Sequence, residues 1–433
     1  MAVGIDLMND LAGLVGAAHV RSSRPDEHVD GVIPGVVVEP SSADDVAAVL
    51  AWASANQQSI VIRGGGTRVA VGRRTSTIDV VLSTRRLAQV LRYEPGDLTV
   101  TVEAGVTAAQ LAAVLAAHRQ CLPIDASSDV ATIGGMLATN GSGPLRHRYG
   151  APRDQVIGVR LATPDGRLAS AGGHVVKNVA GYDLGKMVAG SFGSLAAIVS
   201  ATFKLAPIPQ VTSTLTVEYS DTGAAATAAA VLSAGQLDPM SVEIDTHLAR
   251  FRGDQLQTYR LSVRFGGPAA VVATHIDRAA AALSPAGAGR STRTTGDQDA
   301  AYWREYGTRI WAADGAVVKL SWMPASLEAV LVLLNELVRS GPDVLDEVDF
   351  QGRAAEGTGQ LRLVGASAAI AAAIRRLRTQ AGVVGNVVVM RADEDVKARE
   401  DVWGLAPGAA ELGAALKRAL DPAGVMNAGR GPL

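Results

Sequence analysis

Three glycine-bracketed segments in a fixed order constrain this chain more than any other feature. They are Val61-Ile-Arg-Gly-Gly-Gly-Thr-Arg68, Ala131-Thr-Ile-Gly-Gly-Met-Leu-Ala-Thr-Asn140 and Gly172-Gly-His-Val-Val-Lys-Asn-Val-Ala-Gly-Tyr-Asp-Leu184, the last followed by Gly190-Ser-Phe-Gly-Ser-Leu195. Glycine lets successive backbone N–H groups approach a bulky anionic group with no Cβ in the way. Taken singly, the three-glycine turn is equally well a plain β-turn. It is not a Rossmann fingerprint, because G-x-G-x-x-G with an acidic residue about 20 positions on is absent at this turn, and no G-x-x-x-x-G-K-[ST] phosphate loop occurs. The ordered set, rather than any one glycine, carries the information.

A chain of 433 residues with 48% hydrophobic residues buries a large core, and at roughly 100 to 200 residues per domain it is expected to hold two or three domains. Net charge is −2 and the 40 basic residues are scattered, so there is no electrostatic footprint for nucleic acid. The single cysteine, Cys121, excludes an internal disulfide, a Cys-rich zinc site and an iron–sulfur cluster held by this chain alone. It reads as a small core residue. Asp6 and Asp10 stand where a signal peptide needs a basic region leading into an apolar stretch. No run approaches the roughly 18 apolar residues of a membrane span, the run around Leu331 to Leu334 being broken by Glu328 and Glu336. The expected location is cytoplasmic, with association at the inner face of the membrane left open.

Residues 1–29 form an N-terminal segment. Pro34 to Pro40 reads as an extended entry strand, and Ser41-Ser-Ala-Asp-Asp-Val as a capped helix running to about Gln57. The β-rich run Ser59 to Arg63 leads into the three glycines. Alternation recurs with a strand over Leu98 to Ala104, a helix over Thr107 to His118 and a loop through Pro123 and Asp125. A strand over Val156 to Thr163, a Pro164-Asp-Gly-Arg turn and a strand resuming at Leu168 follow. Residues 30–210 thus read as one α+β domain, ending at Pro207-Ile-Pro209.

Across residues 211–395 the order is strand (Ser213 to Tyr219), helix (Gly223 to Ser233), strand (Met240 to Ile244), strand (Thr258 to Phe265) and helix (Ala269 to Leu283). A similar order returns from Ala316 to Met390, with helices over Ala325 to Ser340 and Ser367 to Gln380. This is compatible with ferredoxin-like αβ-plait units. Pro285 to Gln298, rich in Gly, Ser, Thr and Arg, reads as an exposed loop between the halves. Residues 396–433 carry Val402-Trp-Gly404, a helix around Ala409 to Leu420 and Asp421-Pro-Ala-Gly-Val-Met-Asn-Ala-Gly-Arg430.

Together and in this order, the three glycine segments resemble the FAD-binding domain of the vanillyl-alcohol oxidase and p-cresol methylhydroxylase (PCMH) superfamily. Within it, the FAD subunit of bacterial glycolate oxidase carries a very similar Val-Val-Lys-Asn-Val-Ala-Gly-Tyr-Asp run. The resemblance is strong over residues 30–210, moderate over 396–430 and weak between them. It implies an α+β fold: a two-subdomain PCMH-type FAD-binding domain, a ferredoxin-like αβ-plait cap over 211–395 that shapes the substrate site, and a return of 396–433 to the FAD domain. In that closing motif Ala428 replaces the usual proline.

The resemblance also implies where FAD is held. Arg63, Gly64, Gly65, Gly66, Thr67 and Arg68 take one side of the pyrophosphate. Thr132, Ile133, Gly134, Gly135, Thr139, Asn140, Ser142 and Gly143 line the other side and the ribose. Asp125, Tyr149, the backbone of Ile198 and Asn427 of the closing motif complete the set, while Lys177, Asn178, Tyr182 and Asp183 lie near the flavin ring. Lys177 there stabilises negative charge on the reduced ring. Covalent relatives use a histidine in or beside the glycine turn; residues 58–75 contain none, so FAD is expected to be non-covalent.

None of the seven histidines lies beyond His275. Metal-assisted relatives hold their metal with cap-domain histidines in an H-x-G-x-G-N-like run, which is missing, so no metal site is expected. His174 and His147 are candidate general bases, since imidazole titrates near neutrality. Lys177, Tyr182, His174 and Arg148 are the candidate catalytic set, and Arg148, Lys319 and Arg362 are candidate clamps for a carboxylate. Phe192 stands where many lactate-dehydrogenase-like relatives have Glu, so no carboxylate role carries over to it. The implied activity is oxidation of a small 2-hydroxy acid, glycolate or D-lactate, by hydride transfer to flavin N5. An iron–sulfur subunit and a second flavin subunit of a complex would take the electrons onward. Two alternatives stay open: a stand-alone FAD oxidase or dehydrogenase of another alcohol, and a non-catalytic FAD-binding electron-relay subunit.

Overall fold

The computed structural model describes residues 6–174, 181–250, 257–284, 289–339 and 344–433. Its chain divides into two compact units. The first comprises Met1–Ser142, Tyr149–Ile208 and Leu405–Leu433; the second comprises Gly143–Arg148 and Pro209–Gly404. Among the described residues no helix is long and apolar enough to cross a membrane.

The first unit holds two sheets. Strands β1 (Val20–Arg21), β2 (Val36–Val38), β3 (Ile60–Arg63) and β4 (Val80–Ser83) lie in the order β1-β2-β4-β3. The central β4 runs parallel to both β2 and β3, and the unbroken valine run of β2 suits a strand buried on both faces. The helix Ala43–Ala55 connects β2 to β3. Ser42 and Asp45 form a capping box at its start, and its Val46, Val49 and Leu50 bury against Val36, Val38, Ile60 and Leu82.

Next come β5 (Val90–Glu94), β6 (Thr99–Glu103), β7 (Gln120–Cys121), β8 (Val156–Ala162), β9 (Leu168–Gly172), β10 (Ala197–Lys204) and β11 (Ala206–Pro207). Five of them form an antiparallel sheet in the order β5-β6-β10-β8-β9, and β7 pairs with β11. The helix Ala108–Ala116 opens at a Thr107–Gln110 capping box and packs Leu111 and Leu115 with Val100, Val102 and Phe203. Cys121 is half-buried on β7, and burial pushes its thiol up.

The C-terminal motif closes on the first sheet. Met426 bridges to Ile60 in parallel. Lys417 Nζ pairs with Asp421 at 2.5 Å and donates to the carbonyls of Ser194 and Met426 at 2.7 and 2.6 Å. Arg430 is only 1% exposed; it pairs with Asp30 at 2.9 Å and donates to Val69 O. Each of these buried charges has its partners, as burial of charge demands.

The second unit is one antiparallel sheet of eight strands: β12 (Val211–Tyr219), β13 (Ser241–Ala249), β14 (Tyr259–Gly267), β15 (Ser291–Thr295), β16 (Ala316–Ser321), β17 (Glu347–Arg353), β18 (Thr358–Val364) and β19 (Val387–Arg391). Their order is β15-β12-β14-β13-β17-β18-β16-β19. Each half runs strand, helix, strand, strand, helix, strand, and the second half repeats the first in mirrored order across the β13–β17 pair. That is two ferredoxin-like units joined edge to edge. Alternation along the strands sends Val242, Ile244, Leu261, Val263, Phe350 and Leu361 to one buried face. The other face is polar, with cross-strand rows Thr216–Ser262–Glu243–Arg353–Thr358–Ser321 and Arg260–Asp245–Gln351–Gln360–Lys319.

The exposed loop expected over Pro285 to Gln298 is corrected here. Residues 285–288 lie outside the described set, but Ser291–Thr295 is the edge strand β15, paired with β12. Threonine-rich sequence of this kind suits an exposed edge, where β-branched side chains favour extension and polarity is tolerated. Gly296–Ala312 is then a helix of 17 residues whose buried stripe is Asp299, Trp303, Tyr306 and Ile310.

Candidate functional site

In the first unit the glycine turn follows β3 directly. A Cβ at Gly64 would run into the Thr132 hydroxyl, and one at Gly65 into the Val130 carbonyl. Two of the three glycine segments are therefore in backbone contact, and only glycine permits it. Gly66 has φ +80° and lies against the Arg63 guanidinium, which folds back beneath its own turn. Arg63 is 5% exposed; its Nη2 donates to Asp26 O at 3.1 Å, while Nε and Nη1 are buried without a hydrogen-bond partner. Burial, reinforced by the Arg85 cation, lowers its pKa. A buried guanidinium with two vacant donors beneath a turn stripped of side chains fits an anionic group such as a pyrophosphate. The residues present thus suit FAD.

The neighbouring positions are held by local bonds. Thr132 caps the helix Ile133–Thr139, which Asn140 ends in the left-handed region at φ +46°. A Cβ at Gly134 would strike Ala104. Thr139 donates to Gly135 O at 2.8 Å, and Asn140 Oδ1 accepts from Arg153 N at 3.1 Å. Phe192 also sits at positive φ, +53°. Its N–H donates to Ala138 O and its carbonyl accepts from Asn427 Nδ2, each at 2.9 Å. Three segments far apart in sequence thereby meet at a strained residue, a placement typical of functional sites.

The remaining expected residues scatter. Ile198 is buried on β10, paired with Leu161. Arg68 Nη1 donates to the carbonyl of Thr67, and Tyr149 O accepts from Gln155. Asp125 and Ser142 are partly exposed in loops, and Gly143 belongs to the second unit. Of the catalytic set, Tyr182 is 91% exposed, and His174 Nδ1 meets Thr101 Oγ1 on the five-stranded sheet at 3.3 Å. Arg148 pairs with Asp238 at 2.9 Å. Lys177 and Asn178 lie outside the described residues.

The polar face of the second unit's sheet has two contrasting parts. On the buried side of the helix Gly296–Ala312, its Asp299 accepts from Thr212 and Thr214 at 2.6 and 2.5 Å and pairs with Arg264 at 2.8 Å. Asp245 is held by Arg260 and by Arg309. Tyr306 donates to Glu243 at 2.9 Å, and burial followed by that carboxylate drives its phenol well above the usual range.

Toward β16 the balance changes. Lys319 is half-buried, and burial, then the Arg353 and Arg146 cations, push its ammonium down to about 8. Arg353 Nε donates to Gly143 O at 3.0 Å, tying the Gly143–Arg148 segment to the end of β17. On that segment His147 Nδ1 is hydrogen-bonded to Glu356 Oε1. Glu356 Oε2 and Trp322 Nε1 are buried without hydrogen-bond partners. Arg362, the third expected clamp, lies between Glu347 and Asp349 at 2.9 and 2.5 Å and is neutralised. Sequence reasoning missed Arg146, Arg353 and Glu356. Strand alternation alone sends Arg353 and Lys319 to the same polar face.

Comparison with known proteins follows this division. A family described as an FAD binding domain matches residues 34–183. The glycolate oxidase subunit GlcD of Bacillus subtilis (strain 168) is 32% identical over 212 residues, 49% of this chain and 45% of the relative. A D-lactate dehydrogenase of Archaeoglobus fulgidus is 36% identical over 172 residues, 40% of this chain and 39% of the relative. The matches thus span less than half the length of these relatives. A crystal structure of p-cresol methylhydroxylase with substrate bound superposes with a TM-score of 0.77 at 16% identity, over 97% of this chain and 95% of that one. The fold is of the PCMH type.

Proposed function

We propose, from the FAD-binding domain that residues 34–183 form, that this protein is an FAD-dependent oxidoreductase converting a small 2-hydroxy acid, glycolate or D-lactate, to the 2-oxo acid. The observation that carries the reading is the cationic cluster at Lys319, whose perturbing charges are both cations, Arg353 and Arg146. Such a cluster suits a carboxylate, and each charge-assisted hydrogen bond to it is worth about 1.5–3 kcal/mol. The names of the relatives, a glycolate oxidase subunit and a D-lactate dehydrogenase, support the same substrate class.

FAD, when bound, supplies the hydride acceptor. In this reading Arg63, the Gly64–Gly66 turn and Thr132 hold its pyrophosphate, and Lys319, Arg146 and Arg353 hold the substrate carboxylate. The cofactor is non-covalent, because residues 58–75 offer no histidine for a linkage. Electrons leave through an iron–sulfur subunit and a second flavin subunit, since one cysteine holds no cluster.

An absorbance spectrum before and after acid precipitation, followed by anaerobic addition of glycolate and D-lactate, tests this. The expected result is a yellow protein that releases FAD into the supernatant and is bleached by one of the two acids. A chain that takes up no FAD on reconstitution, or a flavin that stays oxidised with both acids even when partner subunits are present, overturns it.

A further inference from the structure

We propose that Asn427 is a positioning residue for FAD: it holds the Phe192 carbonyl, and through it the shape of the loop 190–195 that links two glycine segments of the cofactor site. The proposal lies wholly within the first unit. It rests on the FAD assignment above and is independent of the substrate. The resemblance alone places Asn427 among the cofactor's contacts, but its amide has another partner in this structure. A carbonyl oxygen only accepts, so the amide nitrogen is the atom turned toward Phe192, and Nδ2 donates to Phe192 O at 2.9 Å. With Asn427 only 9% exposed, breaking that bond leaves a largely buried carbonyl in need of another donor.

Both ends of the connection reach the cofactor segments. Asn427 N donates to Ile60 O at 2.7 Å, anchoring the residue on β3, the strand that ends at Arg63 and leads into the Gly64–Gly66 turn. Across the loop, Phe192 N donates to Ala138 O at 2.9 Å and Gly190 N to Leu137 O at 3.3 Å. Those carbonyls belong to the helix Ile133–Thr139, whose capping Thr132 occupies the space a Gly64 Cβ would need. Gly193 faces Ile62 of β3 at van der Waals distance. Lys417 Nζ adds a second tie from the C-terminal motif, donating to Ser194 O at 2.7 Å. The loop thus spans from the strand of the first glycine segment to the helix of the second, and Asn427 clamps it in the middle.

The clamp is needed because of the residue it holds. Phe192 has φ +53°, a left-handed conformation that disfavours any side chain carrying a Cβ and suits glycine. Its two backbone bonds, N–H to Ala138 and C=O from Asn427, keep it there. Without the second, Phe192 relaxes toward negative φ, and the turn of its peptide planes disturbs the bond to Ala138. Glycine at position 192 has no such tendency. The proposal therefore predicts that FAD affinity follows the backbone preference at position 192, whereas a role for the Phe192 ring against the cofactor predicts that glycine is the worst residue there.

The test measures FAD affinity of the full chain, depleted of flavin and titrated with FAD, by the quenching of flavin fluorescence. Asn427→Gly removes the donor without straining a position that itself has φ +50°, and should weaken FAD binding about 3- to 10-fold. Phe192→Gly should bind as tightly as wild type or more tightly, and in that background Asn427→Gly should cost less than twofold. Phe192→Val, whose β-branched side chain resists positive φ, should bind more weakly than wild type. Ser54→Ala is the control for stability alone: it deletes a hydroxyl bond to Pro164 O in the same unit and should leave FAD affinity unchanged. Equal affinity in Asn427→Gly and wild type, or a loss as large with glycine at 192 as with phenylalanine, overturns the proposal while the FAD assignment stands. If Asn427→Gly does not fold, the order at position 192 decides: glycine at or above phenylalanine and valine below supports the clamp, and any other order overturns it. A wild type that takes up no FAD overturns the assignment and the proposal together.

Discussion

The two halves of the eight-stranded sheet share one topology, yet their polar faces are used differently. On the β12–β14–β13 side, the helix Gly296–Ala312 contributes Asp299 and covers Asp245 and Glu243, and each acid has arginine, threonine or tyrosine partners. On the β17–β18–β16 side, Lys319 has only cations bearing on it and the His147–Glu356 pair stands close by. A duplicated scaffold thus gathers carboxylates paired with arginine, threonine and tyrosine in one copy and sets cations around a lysine in the other. Paired buried charges rigidify a network, whereas a group of like charges suits a ligand of the opposite sign.

The largest effect is expected from breaking the closed half. Asp299→Ala removes the carboxylate that is fully buried against Arg264 and should cost about 3–5 kcal/mol of the second unit's stability, read from denaturant unfolding. Carboxylate affinity of the protein that remains folded should stay as in wild type. Next in size is Lys319→Met, which removes one charge-assisted bond worth about 1.5–3 kcal/mol, hence roughly a 10- to 100-fold loss of oxalate affinity. Its stability cost should be within about 0.5 kcal/mol or slightly favourable, because the lysine is desolvated beside two cations.

A pH series sharpens the contrast. The Lys319 ammonium titrates at about 8, below the ordinary lysine range, so the cation is lost as pH rises through that value and oxalate affinity falls there. A bound anion raises that pKa, so the fall lies higher in the complex. Lys319→Met should remove the step entirely. The smallest ligand effect is expected from Arg362→Met: its guanidinium is already matched by Glu347 and Asp349, so affinity should change less than twofold while stability drops by about 1 kcal/mol.

What the sequence reveals depends on how local the physical cause is. The capping boxes at Ser42 and Thr107 and the valine run of β2 act within a few residues, and the expected helices and strands there match. The repeated strand and helix order of residues 211–395 also emerged, because apolar alternation marks one face of each strand. The helix Gly296–Ala312 stayed hidden because it covers a polar face: its buried stripe begins with an aspartate and contains no run of aliphatic residues. Arg362 and Lys319 look alike in sequence, and only groups brought in from other strands separate the cation matched by two carboxylates from the one beside further cations. The His147–Glu356 pair depends on a contact across 209 positions, which no periodicity encodes.

The measurement that bears most directly on the contrast between the two halves is calorimetric titration of the FAD-loaded protein with oxalate, in wild type, Lys319→Met and Arg362→Met, below and above pH 8. If the β16 side is the ligand half, wild type binds oxalate more weakly at the higher pH, Lys319→Met binds it at least about tenfold more weakly at the lower pH, and Arg362→Met follows wild type. Equal affinity in wild type and Lys319→Met, or a larger loss in Arg362→Met, contradicts it.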